Sequence, residues 1–195
     1  MTGEQVRRGA HVLRAVVDII AERGLEAATM RTVAASAGIS LAQVQYYFRS
    51  KEDLVAAAFR HVTELFDLKL ASIDLSKPPR RVLREALELW LPLDEPRARD
   101  ARVRLAFSAA ATTSPTLKEI AAATDNELRI ALARLLDAAA AEGDLSEVTD
   151  TETEAALLLA VIDGLVVQSL AMPEDTRTPF LAESLDTHLA RLFTP

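Results

Sequence analysis

The sequence predicts an all-α protein of about nine helices, a three-helix head followed by a longer helical body. Three observations lead there. Alternating Val/Ile/Thr runs are missing, while the good helix formers Ala, Leu, Arg and Glu dominate. Apolar residues recur at helical spacing between Gly, Pro and Ser/Thr punctuation. The stretch Ala34 to Leu54, AASAGISLAQVQYYFRSKEDL, packs two helix stops and two helix starts into about twenty residues.

The elements follow in order. The first helix is expected from about Glu4 to Arg23, with Val6, Ala10, Leu13, Val17 and Ile20 on one face and Gly24 at its end. Thr29 is a good N-cap for a second helix that takes Val33 and Ala34 into the core of the head. Gly38 stands where a left-handed cap ends that helix, because glycine takes positive φ without steric cost. Ser40 starts the third helix, about Leu41 to Phe48, and Gln43 sits at capping-box distance from it. Ser50 opens the fourth, with Lys51 first and Glu52 and Asp53 in the first turn. Helix, glycine turn, short polar and aromatic helix is the spacing of a helix-turn-helix, whose second helix enters the DNA major groove.

Helix four is expected to reach about Ile73; at 1.5 Å per residue it spans about 33 Å, enough to link head and body. Ser76-Lys77-Pro78-Pro79 stops it. Helix five covers about Arg80 to Leu91, ending before Pro92, and helix six about Arg97 to Ala111. After Thr113-Ser114-Pro115, helix seven runs from about Thr116 to Glu142 and stops at Gly143. Helix eight covers about Thr151 to Met172, ahead of Pro173, and helix nine about Pro179 to Phe193. Residues 155–162 of helix eight, AALLLAVI, are apolar all round, so burial is expected on most sides. Helix nine carries Phe180, Leu181, Leu185, Leu189 and Leu192 on a stripe. A second copy is the natural cover, and a homodimer through helices eight and nine (about 151–172 and 179–193) is predicted, as a four-helix bundle.

Composition narrows the function. There is no cysteine, so neither a disulfide nor a thiolate metal site is available. The three histidines lie far apart, no Gly-rich phosphate loop occurs, and no His neighbours a candidate nucleophile. No catalytic residues, no metal site and no cofactor are therefore expected. The N-terminal MTGEQVRRG has no apolar run behind its arginines, and no stretch of eighteen apolar residues follows, so neither signal peptide nor membrane span is expected. A cytoplasmic protein is the expectation. The net charge of −7 is unevenly spread: residues 1–60 hold eight Lys/Arg against six Asp/Glu, and the rest holds fourteen against twenty-three. A mildly basic head on an acidic body can bind DNA through a few placed phosphate contacts.

Thr29-Met30-Arg31-Thr32-Val33-Ala34, Ala37-Gly38-Ile39-Ser40, Tyr47-Phe48 and Ser50-Lys51-Glu52-Asp53-Leu54 occur in the order seen in the DNA-binding signature of the TetR family of transcriptional regulators, which this head resembles. The C-terminal part is similar to the BetI-like type of that family. The similarity is carried by Leu91-Pro92-Leu93-Asp94, Ala106-Phe107, Ala141-Glu142-Gly143-Asp144-Leu145, Asp163-Gly164-Leu165 and His188-Leu189-Ala190-Arg191-Leu192. The resemblance implies a DNA-binding domain over residues 1–50 and an effector-binding and dimerisation domain over 51–195. It also implies a ligand-responsive repressor that releases a pseudo-palindromic double-stranded operator on binding a small molecule, with the effector pocket among helices five to eight.

Phosphate contacts are expected from Thr29, Tyr47 and Lys51, with Tyr46 as a further candidate; Lys51 adds charge at a helix start, where the dipole already favours anions. Base reading falls to Arg31, Ser40, Ala42, Gln43 and Gln45. Family members commonly carry threonine at the place of Gln43, which either closes the capping box with Ser40 or reads a base. In the body the candidates are Trp90 and Phe107, as large aromatics, and Asp125, Asn126, Asp163 and Gln168, as polar groups on otherwise apolar helices. Trp90 is either core or pocket, and Asp163 either a ligand contact or a structural acceptor. With so few aromatics, an aromatic cage for a quaternary ammonium ion is not expected. The alternative function is a helical small-molecule-binding dimer that acts as an activator or lacks sequence-specific DNA binding.

Overall fold

A computed structural model describes residues 3–145 and 150–193, with side chains from residue 9 onward. Val6, expected on the apolar face of the first helix, lies outside the described side chains. Among the described residues the chain forms nine α-helices: α1 (Gly3–Arg23), α2 (Met30–Ser36), α3 (Leu41–Tyr47), α4 (Lys51–Leu70), α5 (Pro79–Trp90), α6 (Glu95–Ala111), α7 (Pro115–Ala141), α8 (Thr151–Ser169) and α9 (Glu174–Leu192). A 3₁₀ turn, Leu25–Ala27, joins α1 to the segment before α2. The all-α expectation holds, and no helix among the described residues is long and apolar enough to cross a membrane.

Packing divides the chain into two compact units, Met1–Leu65 with Arg102–Ala121 and Phe66–Ala101 with Ala122–Pro195, so the division falls within α4, α6 and α7. In the first unit Val12, Val16, Ile20, Val33, Val44, Phe48 and Leu54 form a shared core. A satellite cluster holds Val55, Phe59, Phe107 and Leu117, with the rings of Phe59 and Phe107 stacked at 3.7 Å between centroids. The second unit is built on Leu83, Leu87, Leu132, Leu136, Leu158, Ile162, Leu181, Leu185 and Leu189.

Several ends differ from the periodicity. α4 stops at Leu70 rather than Ile73, and α8 at Ser169 rather than Met172. The larger correction is α9, which starts five residues before the expected Pro179. Pro173 takes the N-cap position, and its carbonyl accepts from the N–H groups of Thr176 and Arg177 at 3.2 and 2.8 Å. Pro179 then lies inside the helix, where its missing N–H removes one backbone bond. Burial of Leu181, and the Thr178 hydroxyl donating to the Leu93 carbonyl at 3.0 Å, hold the turn regardless.

α8 buries Ala155, Leu158, Leu159, Ile162, Val166 and Ser169 within its own chain. Its opposite side is left uncovered by the chain, with Leu157 53 % and Val167 51 % exposed. The core of the second unit predicts its own test. Leu136 is fully buried, so Leu136→Ala is expected to lower unfolding free energy by about 2–5 kcal/mol, measured by urea denaturation as a shifted midpoint at unchanged slope.

Candidate nucleic-acid interface and ligand cavity

The α2–turn–α3 segment is held by its caps and by one apolar side. Thr29 caps α2: its Oγ1 accepts from the Thr32 N–H at 3.2 Å, while the Thr29 N–H donates to Thr32 Oγ1 at 2.9 Å. Gly38, at φ +63°, turns the chain out of α2, and the Ile39 N–H returns to the Ala34 carbonyl at 3.1 Å. Ser40 caps α3, accepting on Oγ from the Gln43 N–H at 3.2 Å. In return, Gln43 Oε1 accepts the Ser40 N–H at 2.9 Å and the Ser40 hydroxyl at 3.0 Å. The sequence left capping and base reading open for Gln43; here its carbonyl oxygen is engaged in the cap.

With Val44 and Phe48 buried, α3 presents Ala42, Gln43, Gln45 and Tyr46 on its outer side. Tyr46 is 80 % exposed and meets Tyr47 edge to face at 5.4 Å between centroids; Tyr47 is half-buried. Arg31, Thr29 and Ser40 are exposed as well. The structure thus places the expected reading and positioning residues in one unit and largely in solvent.

Lys51 is the exception to simple exposure. At the first position of α4, its Nζ donates to Glu26 Oε2 at 2.8 Å. Glu26, on the 3₁₀ turn, is 93 % exposed. Sequence reasoning missed this pairing, because the 3₁₀ turn carries no periodic signal and the partners are 25 residues apart.

In the second unit an apolar cavity of about 20 Å³ is lined by Phe66, Leu70, Trp90, Leu128, Leu159 and Ile162, among others. Trp90 meets Phe66 edge to face at 4.8 Å, and its indole N–H donates to Asp163 Oδ1 at 3.2 Å. Asp163 is thereby an exposed carboxylate that accepts from Trp90, as in the structural-acceptor role the sequence left open. Of the expected ligand residues, Trp90 lines this cavity. Phe107 belongs to the other unit, stacked on Phe59, while Asp125, Asn126 and Gln168 are exposed on α7 and α8. Asn126 lines a separate polar hollow with Arg129, Arg134, Asp137 and Asp150. Phe66 and Leu70 escaped the sequence reading because it confined the pocket to helices five to eight, and α4 contributes them.

Comparison with known proteins agrees with both halves of this arrangement. Residues 12–58 match the bacterial regulatory proteins of the tetR family, and residues 79–194 match the C-terminal part of BetI-type transcriptional repressors. The HTH-type transcriptional regulator BetI of Rhizobium meliloti is 30% identical over 166 residues, covering 85% of this chain and 78% of the relative. A transcriptional regulator from Rhodococcus sp. Rha1 superposes with a TM-score of 0.84 at 35% identity, covering 93% of each chain. A regulator from Saccharomonospora viridis, solved in complex with choline, reaches a TM-score of 0.84 at 22% identity, covering 97% of this chain and 100% of its own.

The Lys51–Glu26 pair is solvent-exposed and adds little to stability. Glu26→Gln is therefore expected to leave the melting temperature unchanged. Duplex DNA binding should tighten about two- to fivefold at low salt, an effect that fades as salt rises, measured by fluorescence anisotropy.

Proposed function

This chain belongs to the TetR family of bacterial transcriptional regulators, with a C-terminal part of the BetI repressor type, and we propose on that premise that it binds a pseudo-palindromic operator as a homodimer and releases it when a small apolar molecule enters its body. It is a DNA-binding regulator, not an enzyme. Residues 1–50 form the DNA-binding part of the proposal and 51–195 the effector-binding and dimerisation part, in a cytoplasmic setting.

The observation that carries the DNA reading is the outer side of α3. Ala42, Gln43, Gln45 and Tyr46 are exposed together on a helix whose other side is anchored by buried Val44 and Phe48. A side chain that reaches a base edge must be held by a backbone that does not give. Thr29, Tyr46, Tyr47 and Lys51 then serve as phosphate contacts, and Arg31, Ser40, Gln43 and Gln45 face base edges beside the small Ala42.

The dimer reading is supported by the uncovered side of α8. Leu157, Val161, Leu165 and Val167 remain exposed or half-exposed. Val161 and Leu165 line a hollow with Phe180, Ser184, His188 and Arg191 of α9. An apolar strip of that kind is the self-complementary patch that a two-fold interface requires.

The effector reading rests on the cavity at Trp90. Its walls are side chains of Phe, Leu, Ile, Ala and Trp, which favour a neutral apolar ligand over a cation. Choline, bound by the Saccharomonospora viridis relative, is not carried over, because Phe66 and Trp90 are the aromatic rings in this wall and a quaternary ammonium cage needs several. The cavity holds at most about one water, so a ligand must spread its walls. Phe66 and Leu70 are on α4, the helix that Lys51 opens. Displacing them is the proposed route from ligand to DNA. The ligand needs only to bind the spread state better than the DNA-competent one.

Selection of random duplex DNA by the purified protein tests the central reading. An inverted repeat is expected to be enriched, and to be lost with the Tyr47→Phe, Lys51→Ala double variant; no enrichment, or equal enrichment by both, would refute it. In sedimentation experiments Val161→Glu with Leu165→Glu should yield a folded monomer where the parent is a dimer. A variant that remains dimeric would remove α8 from the interface.

A further inference from the structure

We propose that Gln43 reads DNA as a hydrogen-bond donor only, so that the base it faces is guanine, or secondarily thymine, and not the adenine that a free glutamine would take in two-point contact. The inference rests on the DNA-binding reading above and adds the polarity of one base contact to it.

The argument is a count of donors and lone pairs. An amide carbonyl oxygen has two lone pairs, and an amide NH₂ has two protons. Gln43 Oε1 accepts the Ser40 N–H at 2.9 Å and the Ser40 Oγ–H at 3.0 Å, which uses both lone pairs. Which end of the amide is oxygen follows from chemistry, because a backbone N–H can only donate and so must face the carbonyl. The Ser40 hydroxyl proton is spent on the same oxygen, while its oxygen takes the Gln43 N–H at 3.2 Å. At the start of α3, then, Gln43 Nε2 has protons to offer outward, and neither the Gln43 carbonyl nor the Ser40 hydroxyl proton is left over. Gln43 is exposed, so those protons face solvent and any duplex docked against α3.

Two-point recognition of adenine needs one acceptor for the N6 amino group and one donor for N7. The acceptor is committed to the cap. Guanine presents two acceptors, N7 and O6, and thymine presents O4. A donor-only group prefers these, and meets the adenine N6 amino group proton to proton.

Glutamate in place of Gln43 preserves the cap, since a carboxylate oxygen accepts from Ser40 as the amide oxygen does. It also replaces the outward NH₂ by an acceptor. Guanine O6 and adenine N6 occupy the same place in the major groove, as do thymine O4 and cytosine N4. The change of polarity is therefore read as a transition on the same strand, from G to A or from T to C.

The experiment is random-duplex selection with the full chain, comparing the parent with Gln43→Glu and Ser40→Ala. The parent is expected to enrich G or T at one position of each half-site. Gln43→Glu should change that position to A or C, with relative preference moving roughly tenfold. Ser40→Ala releases one lone pair of Gln43 Oε1, and adenine should gain at the same position; this arm stands even if the added carboxylate weakens binding overall. The proposal is overturned if the parent selects A or C at the position where the variants differ from it, or if neither variant changes the base at any position. Failure of the parent to enrich any site would instead sink the DNA-binding reading and this contact with it.

Discussion

A helix of seven residues does not stand on its own in water. Nucleation costs about 4 kcal/mol, and a helix this short recovers little by propagation. α3 is such a helix, and the head depends on how that deficit is met. The cap at Ser40 and Gln43 contributes about 1 kcal/mol. Burial of Val44 and Phe48 adds about 1.5–3 kcal/mol each. The larger share thus comes from the core side, so α3 exists because α1 and α2 supply a surface for it, with Val16 and Val33 in the same cluster. The smaller, polar share has the greater functional consequence, since the groups that end the helix are among those that would meet DNA. Capping and recognition draw on one set of lone pairs.

The same economy of surface appears in α8. Residues 155–162 are apolar all round and have no face to give to water, yet within its own chain α8 buries only Ala155, Leu158, Leu159, Ile162, Val166 and Ser169. Exposed Leu157 and Val167 are a liability for a lone chain and an asset for a pair. α9 runs beside it with Phe180, Ser184 and His188 at spacings of about one turn. The His188 ring nitrogen Nε2 is buried without a partner there, and burial holds its pKa below the ordinary histidine value, with nearby Glu154 opposing and Arg191 reinforcing the shift.

How much of this was legible in the sequence follows from the range of each signal. Gly38, Ser40, Gln43 and Thr29 act on the backbone within four residues, and the caps they suggested are the caps observed. Apolar spacing marked α1 and α9, because it records which face is buried without reference to what buries it, while α5, α6 and α7 were bounded by their Pro, Ser/Thr and Gly stops. Proline misled at α9: Pro179 looked like a start, but packing of Leu181 and the Thr178–Leu93 hydrogen bond offset one lost backbone bond. What the sequence did not disclose were partners distant in the chain. Phe107 looked like a pocket aromatic and is stacked on Phe59, 48 positions earlier; Trp90 and Asp163 are joined by a bond across 73 positions. Composition and periodicity carry no information on such partners, and neither did they show that Lys51 has a carboxylate within reach.

The smallness of the cavity bears on how the proposed regulation would work. A space of about 20 Å³ lined by apolar side chains has no polar group to hold water, and it gives a ligand no ready seat. Close-packed interiors respond to an insert by moving whole side chains or helices, because they have little room for smaller adjustments. Around Trp90 the soft elements are unequal. Its indole N–H is tied to Asp163, and Leu87, Leu132 and Ile162 belong to the main cluster of the second unit. Phe66 and Leu70 lie in the last two turns of α4, followed by a turn and the exposed Asp74, Leu75 and Ser76. A ligand that needs space would find less resistance from the end of α4 than from the α5, α7 and α8 walls. On the proposed reading the direction of the response is then set by where the packing is weakest, and a pocket that starts nearly closed makes ligand binding and helix displacement one event.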